Sequence, residues 1–133
     1  MAPRPAARHR VCVSDATAPA TTPGALPRSL GDRYALESGR LYLTGVQALI
    51  RLPIEQARRD RAAGLRTGTF ITGYPGSPLG GYDLALAQAR EHTEPLGILH
   101  RPAQNEEAAA TALMGTQMLE RYPHARYDGV VGF

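Results

Sequence analysis

Lysine is absent from this 133-residue chain, and all 15 of its basic residues are arginine. A Walker A loop needs a lysine to reach the phosphates of its nucleotide, so that class of site is excluded. The single cysteine, Cys12, allows no internal disulfide and no iron–sulfur cluster held by this chain alone, since such clusters take several thiolates. Aromatic residues number only six tyrosines and two phenylalanines, which leaves no evident stacking platform for single-stranded nucleic acid. Long apolar runs are also missing. Val11-Cys12-Val13, the only apolar cluster of the first thirty residues, is far too short for the core of a signal peptide, so neither secretion nor a membrane span is expected and a cytoplasmic location is.

The amino-terminal segment differs from the rest. Residues 1–30 contain Pro3, Pro5, Pro19, Pro23 and Pro27 with repeated alanine and threonine and few large apolar side chains, a composition that does not offset the entropy of ordering. It reads as a disordered tail, with a transit peptide as the alternative, followed by one folded region over 31–133. Arg4, Arg8, Arg10 and Arg28, set against Asp15, account for the formal charge of +3, so the folded part is close to neutral. The local cluster Arg58, Arg59 and Arg61 falls on an expected helix, and nucleic-acid binding is not expected. Arginine without lysine, beside abundant alanine, proline and glycine, reads as a bias of genome composition.

Within 31–133 helical and strand patterns alternate. Thr44 to Ala63 predicts a helix, with Thr44 as N-cap, Val46, Leu49, Ile50 and Ala57 on one face, Gly64 as the stop, and Pro53 breaking or kinking it. A strand is expected near 68–73, a helix from Tyr82 to His92, a second short strand over Gly97 to His100, and a third helix capped by Asn105 and ended by Tyr122-Pro123. Asp128 to Phe133 opens a third strand. This order implies an α/β fold, a parallel sheet with flanking helices and right-handed crossovers. With no helix after the last strand, the chain reads as the incomplete front of a longer protein.

The densest signal lies between the first strand and the helix that follows. The run Thr69 to Thr72 stops at Gly73-Tyr74-Pro75-Gly76-Ser77-Pro78-Leu79-Gly80-Gly81, whose glycines allow close approach of a ligand and whose prolines stiffen the loop. In open α/β sheets the crevice beyond the carboxyl ends of the strands is where ligands bind. An ordinary strand-to-helix connection would look the same. Glycines at 73, 76, 80 and 81 do not have the G-x-G-x-x-G spacing of a dinucleotide fingerprint.

Four segments in matching order carry a resemblance to a known family: Tyr34-Ala35-Leu36-Glu37-Ser38-Gly39-Arg40, Tyr42-Leu43-Thr44-Gly45-Val46-Gln47-Ala48-Leu49, the loop from Gly73 to Gly81, and Asn105-Glu106-Glu107-Ala108-Ala109-Ala110-Thr111-Ala112. Over about Arg33 to Phe133 the chain resembles the amino-terminal part of the long, fused indolepyruvate ferredoxin oxidoreductases, thiamine-diphosphate-dependent enzymes that oxidatively decarboxylate aryl 2-oxoacids to acyl-coenzyme A. The resemblance implies a pyrimidine-binding region of the thiamine diphosphate fold. It makes Glu106 the carboxyl group that bonds N1′ of the aminopyrimidine and favours its imino form, which takes the proton from C2 of the thiazolium. Tyr74 and Ser77 would contact the substrate, with the Ser77 hydroxyl toward its carboxylate, and Pro75 and Gly76 would border the cofactor beside Glu106. The partners implied are an aryl 2-oxoacid, coenzyme A and ferredoxin, in an oligomeric enzyme.

The plainer readings stand beside these. Glu106 and Glu107 together suit a helix N-terminus, where carboxylates offset the dipole, and Ser77 suits a turn. His100 and Arg101 close the second strand and could face the same crevice, whereas His92 and His124 are expected in solvated loop or helix-end positions. No His, Cys, Asp and Glu spacing resembles a metal site. The Gly-Asp-Gly motif that holds magnesium and the diphosphate in this superfamily is missing, since Gly31-Asp32-Arg33 lacks the second glycine. Magnesium and iron–sulfur clusters would therefore come from outside this chain. The competing functional class is a non-catalytic α/β module that holds a small anion or a protein partner at the Gly/Pro loop.

Overall fold

The computed structural model describes residues 29–76 and 79–133. The tail expected over 1–30 thus falls almost wholly outside the described residues, which begin at Ser29, and so does the Ser77 assignment. Eight regular elements follow in order: α1 (Asp32–Ala35), α2 (Gly45–Ala62), β1 (Thr67–Ile71), α3 (Tyr82–Gln88), α4 (Arg90–Thr93), β2 (Ile98–His100), α5 (Glu106–Thr116) and β3 (Gly129–Gly132). Short 3-10 turns occupy Glu94–Leu96 and Leu119–Arg121. The three strands form one parallel sheet in the order β2-β1-β3. The expected α/β class with a parallel sheet and flanking helices is what the chain adopts.

Local chemistry explains most boundaries. Thr44 starts α2 through a reciprocal capping box: its hydroxyl accepts from the Gln47 N–H at 3.3 Å while the Gln47 side chain accepts from the Thr44 N–H at 3.0 Å. Gly64 closes the helix in the left-handed region at φ 78°, as a C-terminal glycine does. Pro53 does not break α2. It lies inside the continuous helix and is buried, so the packing of its ring against the core holds a residue that propensity alone would expel. The helix expected over Tyr82 to His92 divides at Ala89, which ends α3 and begins α4. The last helix stops at Thr116, ahead of the expected Tyr122-Pro123, and the 3-10 turn fills the interval.

One face of the sheet carries the core. Ile71 and Ile98 on adjacent strands pack with Ile50 and Ile54 of α2, Leu86 of α3, Ala89 and Tyr34, all buried. Strand alternation turns Gly68 and Phe70 to the opposite face. There the Tyr127 ring lies 3.2 Å from where a Gly68 Cβ would stand, and Leu113 of α5 covers Gly132. The segment containing α1 is tied to α2 by two arginines. Arg51 donates to the Arg33 and Leu36 carbonyls, and Arg58 donates to those of Tyr34 at 2.8 Å and Ala35 at 3.0 Å, while Glu55 holds both guanidinium groups in place.

Ile54 has no exposed surface, so its truncation leaves a cavity that the surrounding helices and sheet fill only in part. Ile54→Ala is expected to lower the unfolding free energy by about 2–5 kcal/mol. Leu52→Ala, on the same helix at a side chain that is 57% exposed, is expected to change it by no more than about 0.5 kcal/mol. Denaturant unfolding of the two variants beside the parent checks the contrast.

Candidate functional site

Parallel pairing sends the carboxyl ends of all three strands to one edge, and there the chain keeps its ladder beyond the strands themselves. After β2, Arg101 donates to the Ile71 carbonyl at 2.9 Å and Ala103 to the Gly73 carbonyl at 2.6 Å. On the other side Thr72 donates to the Phe133 carbonyl at 3.1 Å. Each bond fixes the first residues of a connecting loop, so the segments 72–76 and 101–105 leave the sheet side by side.

Tyr74 and Glu106, far apart in sequence, meet as a result. The Tyr74 phenol is held above its ordinary value of 10, first by a hydrogen bond to the Glu106 side chain and then by its negative charge. Glu106 is exposed at the start of α5 and is not needed as that helix's cap, because the Asn105 side chain accepts from the Ala108 N–H at 2.9 Å. Asn105 therefore has the capping role expected for it. Glu107 is equally exposed and lies one residue further along the helix.

Beside this pair is a cavity of about 250 Å³, bounded by Ile71, Thr72, Gly73, Tyr74, Leu79 and Tyr82, with Asp83 and Phe133. The Tyr82 and Phe133 rings are inclined at 40° with centroids 6.4 Å apart. Burial pushes the Tyr82 phenol up to about 12, with the Asp83 carboxylate adding to the shift. The Tyr82 hydroxyl is closed off from solvent and has no hydrogen-bond partner among the described residues. Asp83 in turn lies 3.2 Å from Nε2 of His100 at the end of β2.

The sequence assignments divide accordingly. Tyr74 lines the cavity and reaches Glu106, whereas Pro75 and Gly76 are exposed and stand outside its lining. Gly76 has φ 93°, so its glycine serves the turn, and Gly73 has open space where a Cβ would be. His100 faces Asp83 and shares with Arg101 a separate hollow beside Leu86 and Arg90, so both stand outside the cavity lined by Tyr74. His92 has the expected helix-end position, in α4, but is half-buried against Tyr34, with ring centroids 5.6 Å apart. Sequence reasoning passed over Tyr82 and Asp83. Their signal was position, as the first polar residues after the Gly80-Gly81 pair, at the start of a helix whose beginning faces the strand ends.

Among the described residues no group of three or more His, Cys, Asp or Glu is placed to hold a metal ion, and no helix is long and apolar enough to cross a membrane. No protein-family model, curated protein or solved structure matches the chain.

The tyrosines give the site an alkaline signature. An unfolded chain releases the Tyr82 proton near pH 10 and the folded chain near 12, so over that interval the unfolded state binds fewer protons. The stability linked to Tyr82 is fully present below pH 10 and is lost as pH rises through 12. Denaturation across an alkaline pH series should show this decline, and Tyr82→Phe should make it shallower. Glu106→Gln should bring a second phenol, Tyr74, back toward 10, visible as an earlier step in tyrosinate absorbance.

Proposed function

We propose that this region is the pyrimidine-binding part of a thiamine-diphosphate-dependent 2-oxoacid oxidoreductase, acting on indolepyruvate or a similar aryl 2-oxoacid and delivering an acyl-coenzyme A and electrons for ferredoxin. One observation carries the reading. Glu106 stands at the carboxyl edge of the sheet beside Tyr74, exposed, with the helix cap provided by its neighbour Asn105. The Glu106 carboxylate is thereby left without a capping role of its own.

The donor set fits one half of such a cofactor site. Thiamine diphosphate, when bound, supplies a thiazolium carbon that becomes a nucleophile toward the 2-oxoacid carbonyl once its C2 proton is gone. Glu106 would hold a proton at N1′ of the aminopyrimidine, a task that requires a carboxyl group and not merely a negative charge. Tyr74 would orient that carboxyl group through its hydroxyl. The described residues contain no acidic cluster for magnesium, so the metal, the diphosphate and the iron–sulfur clusters are assigned to other segments of the enzyme. Coenzyme A, ferredoxin and oligomeric assembly belong to the same proposal.

Glu106 and Glu107 provide an internal comparison, since both are exposed in the first turn of α5. In the assembled enzyme Glu106→Gln is expected to slow thiamine C2–H/D exchange by at least about 100-fold, the lower end of a general acid–base contribution. Glu107→Gln should leave the rate nearly unchanged. A contribution to the helix dipole alone would affect the two alike, in stability and by about 0.3–1 kcal/mol each. Exchange rates and thermal melts on both variants decide it, and equal, small exchange defects would return Glu106 to the dipole.

A further inference from the structure

Tyr42 is 95% exposed, in the segment between α1 and α2, so its ring contributes almost nothing to the core. The ring nonetheless stands on a fixed base. Arg51 and Arg58 hold the carbonyls that precede the segment, from Arg33 to Leu36, and the Thr44–Gln47 capping box holds the backbone two residues after Tyr42. An aromatic side chain presented in this way is a knob whose ordering cost has partly been met before a partner arrives.

Beside the knob is a hollow. Ala48, Leu52, Glu55 and Arg59 recur at helical spacing along α2, on the side away from Ile50, Ile54 and Ala57, and with Arg51 and Leu43, the residue after Tyr42, they line a space of about 300 Å³. A phenol ring fits there, since an apolar cavity of about 150 Å³ admits benzene. Leu52, more than half exposed, gives the hollow an uncovered apolar wall. Charge adds specificity: Glu55 is shared by Arg51 and Arg58, whereas the Arg59 guanidinium has no hydrogen bond or ion pair among the described residues. A spare cation of this kind is complementary to the electron-rich face of an aromatic ring.

We infer that this surface pairs two copies of the chain about a two-fold axis, each Tyr42 ring entering the other copy's hollow between its Leu52 and its Arg59. A two-fold interface is self-complementary by construction, because what one copy presents the other receives and the same contact is made twice. A foreign protein would have to bring both an aromatic knob and a hollow, in matching places. Area bounds the strength. Aromatic side chains bury about 150–250 Å² each, so two tyrosines and the walls that receive them amount to about 600–1,000 Å², the low end for a specific interface, and the dimer dissociates in the micromolar range. The inference goes beyond the proposed function, which implies assembly but names no surface for it.

Sedimentation velocity on the 133-residue chain, from about 1 µM to about 1 mM, should show a monomer–dimer equilibrium. Tyr42→Ala should weaken it by at least about 30-fold, the effect of losing a hot-spot aromatic, and Ala48→Arg, which fills the hollow and leaves the knob, should do the same. Both residues are exposed, so the dilute variants should melt with the parent, which separates lost pairing from lost folding. Mixed together, the two variants still offer one knob and one hollow that match. They should form a heterodimer weaker than the parent's homodimer yet tighter than either variant forms alone. A parent that stays monomeric across the range would overturn the inference, as would a Tyr42→Ala chain that dimerises as the parent does; mixed variants that associate no better than each does alone would overturn the two-fold arrangement. None of these measurements involves thiamine diphosphate, so their outcomes are independent of whether Glu106 governs C2 exchange.

Discussion

Everything at the carboxyl edge depends on two backbone hydrogen bonds that extend the β1–β2 ladder past its last formal pair. By accepting from Arg101 and Ala103, the Ile71 and Gly73 carbonyls keep two loops in register after their strands have ended. Backbone groups at such an edge must find partners or water, and here they find each other. This constraint, more than any contact between side chains, brings Tyr74 and Glu106 together. It uses no particular side chain at either position, so the loop sequences are left to meet chemical demands.

The core and the site are joined through β1. Its alternate residues point either to the α2–α3 layer, where Ile71 is buried, or to the opposite face, where Gly68 accommodates the Tyr127 ring. Ile71 is at once the last buried residue of the strand and the first wall of the cavity. The floor of the cavity therefore belongs to the core, while Leu79, 49% exposed, stands at its solvent side.

Much of this arrangement was legible in the sequence where chemistry is local. The Thr44 and Asn105 caps, the Gly64 stop and the three strands follow from short patterns, and each appears within a residue or two of where pattern places it. Of the break or kink expected at Pro53, the break does not occur, because propensity describes an isolated helix whereas here the proline is buried within a packed one. The split at Ala89 was hidden because the alanine-bearing run has no breaker to announce it. In the site, Tyr74 and Glu106 were singled out through the family resemblance, but their meeting is a product of strand pairing over long range. Tyr82 went unnoticed for a different reason: an unmet hydrogen bond is a property of surroundings, which no single-residue pattern encodes.

The arginine clamp on the α1 segment bears on how the composition of the chain should be read. Arg58 spreads one guanidinium over the Tyr34 and Ala35 carbonyls and the Glu55 carboxylate, and Arg51 spans the Arg33 and Leu36 carbonyls together with the same Glu55. A planar fork with donors pointing in several directions can do this, whereas an ammonium gathers its donors at a point. Whatever the reason for the absence of lysine, positions 51 and 58 would not readily take one. At these two sites an apparent genomic habit coincides with a mechanical requirement, and the freedom to exchange one basic residue for the other ends there.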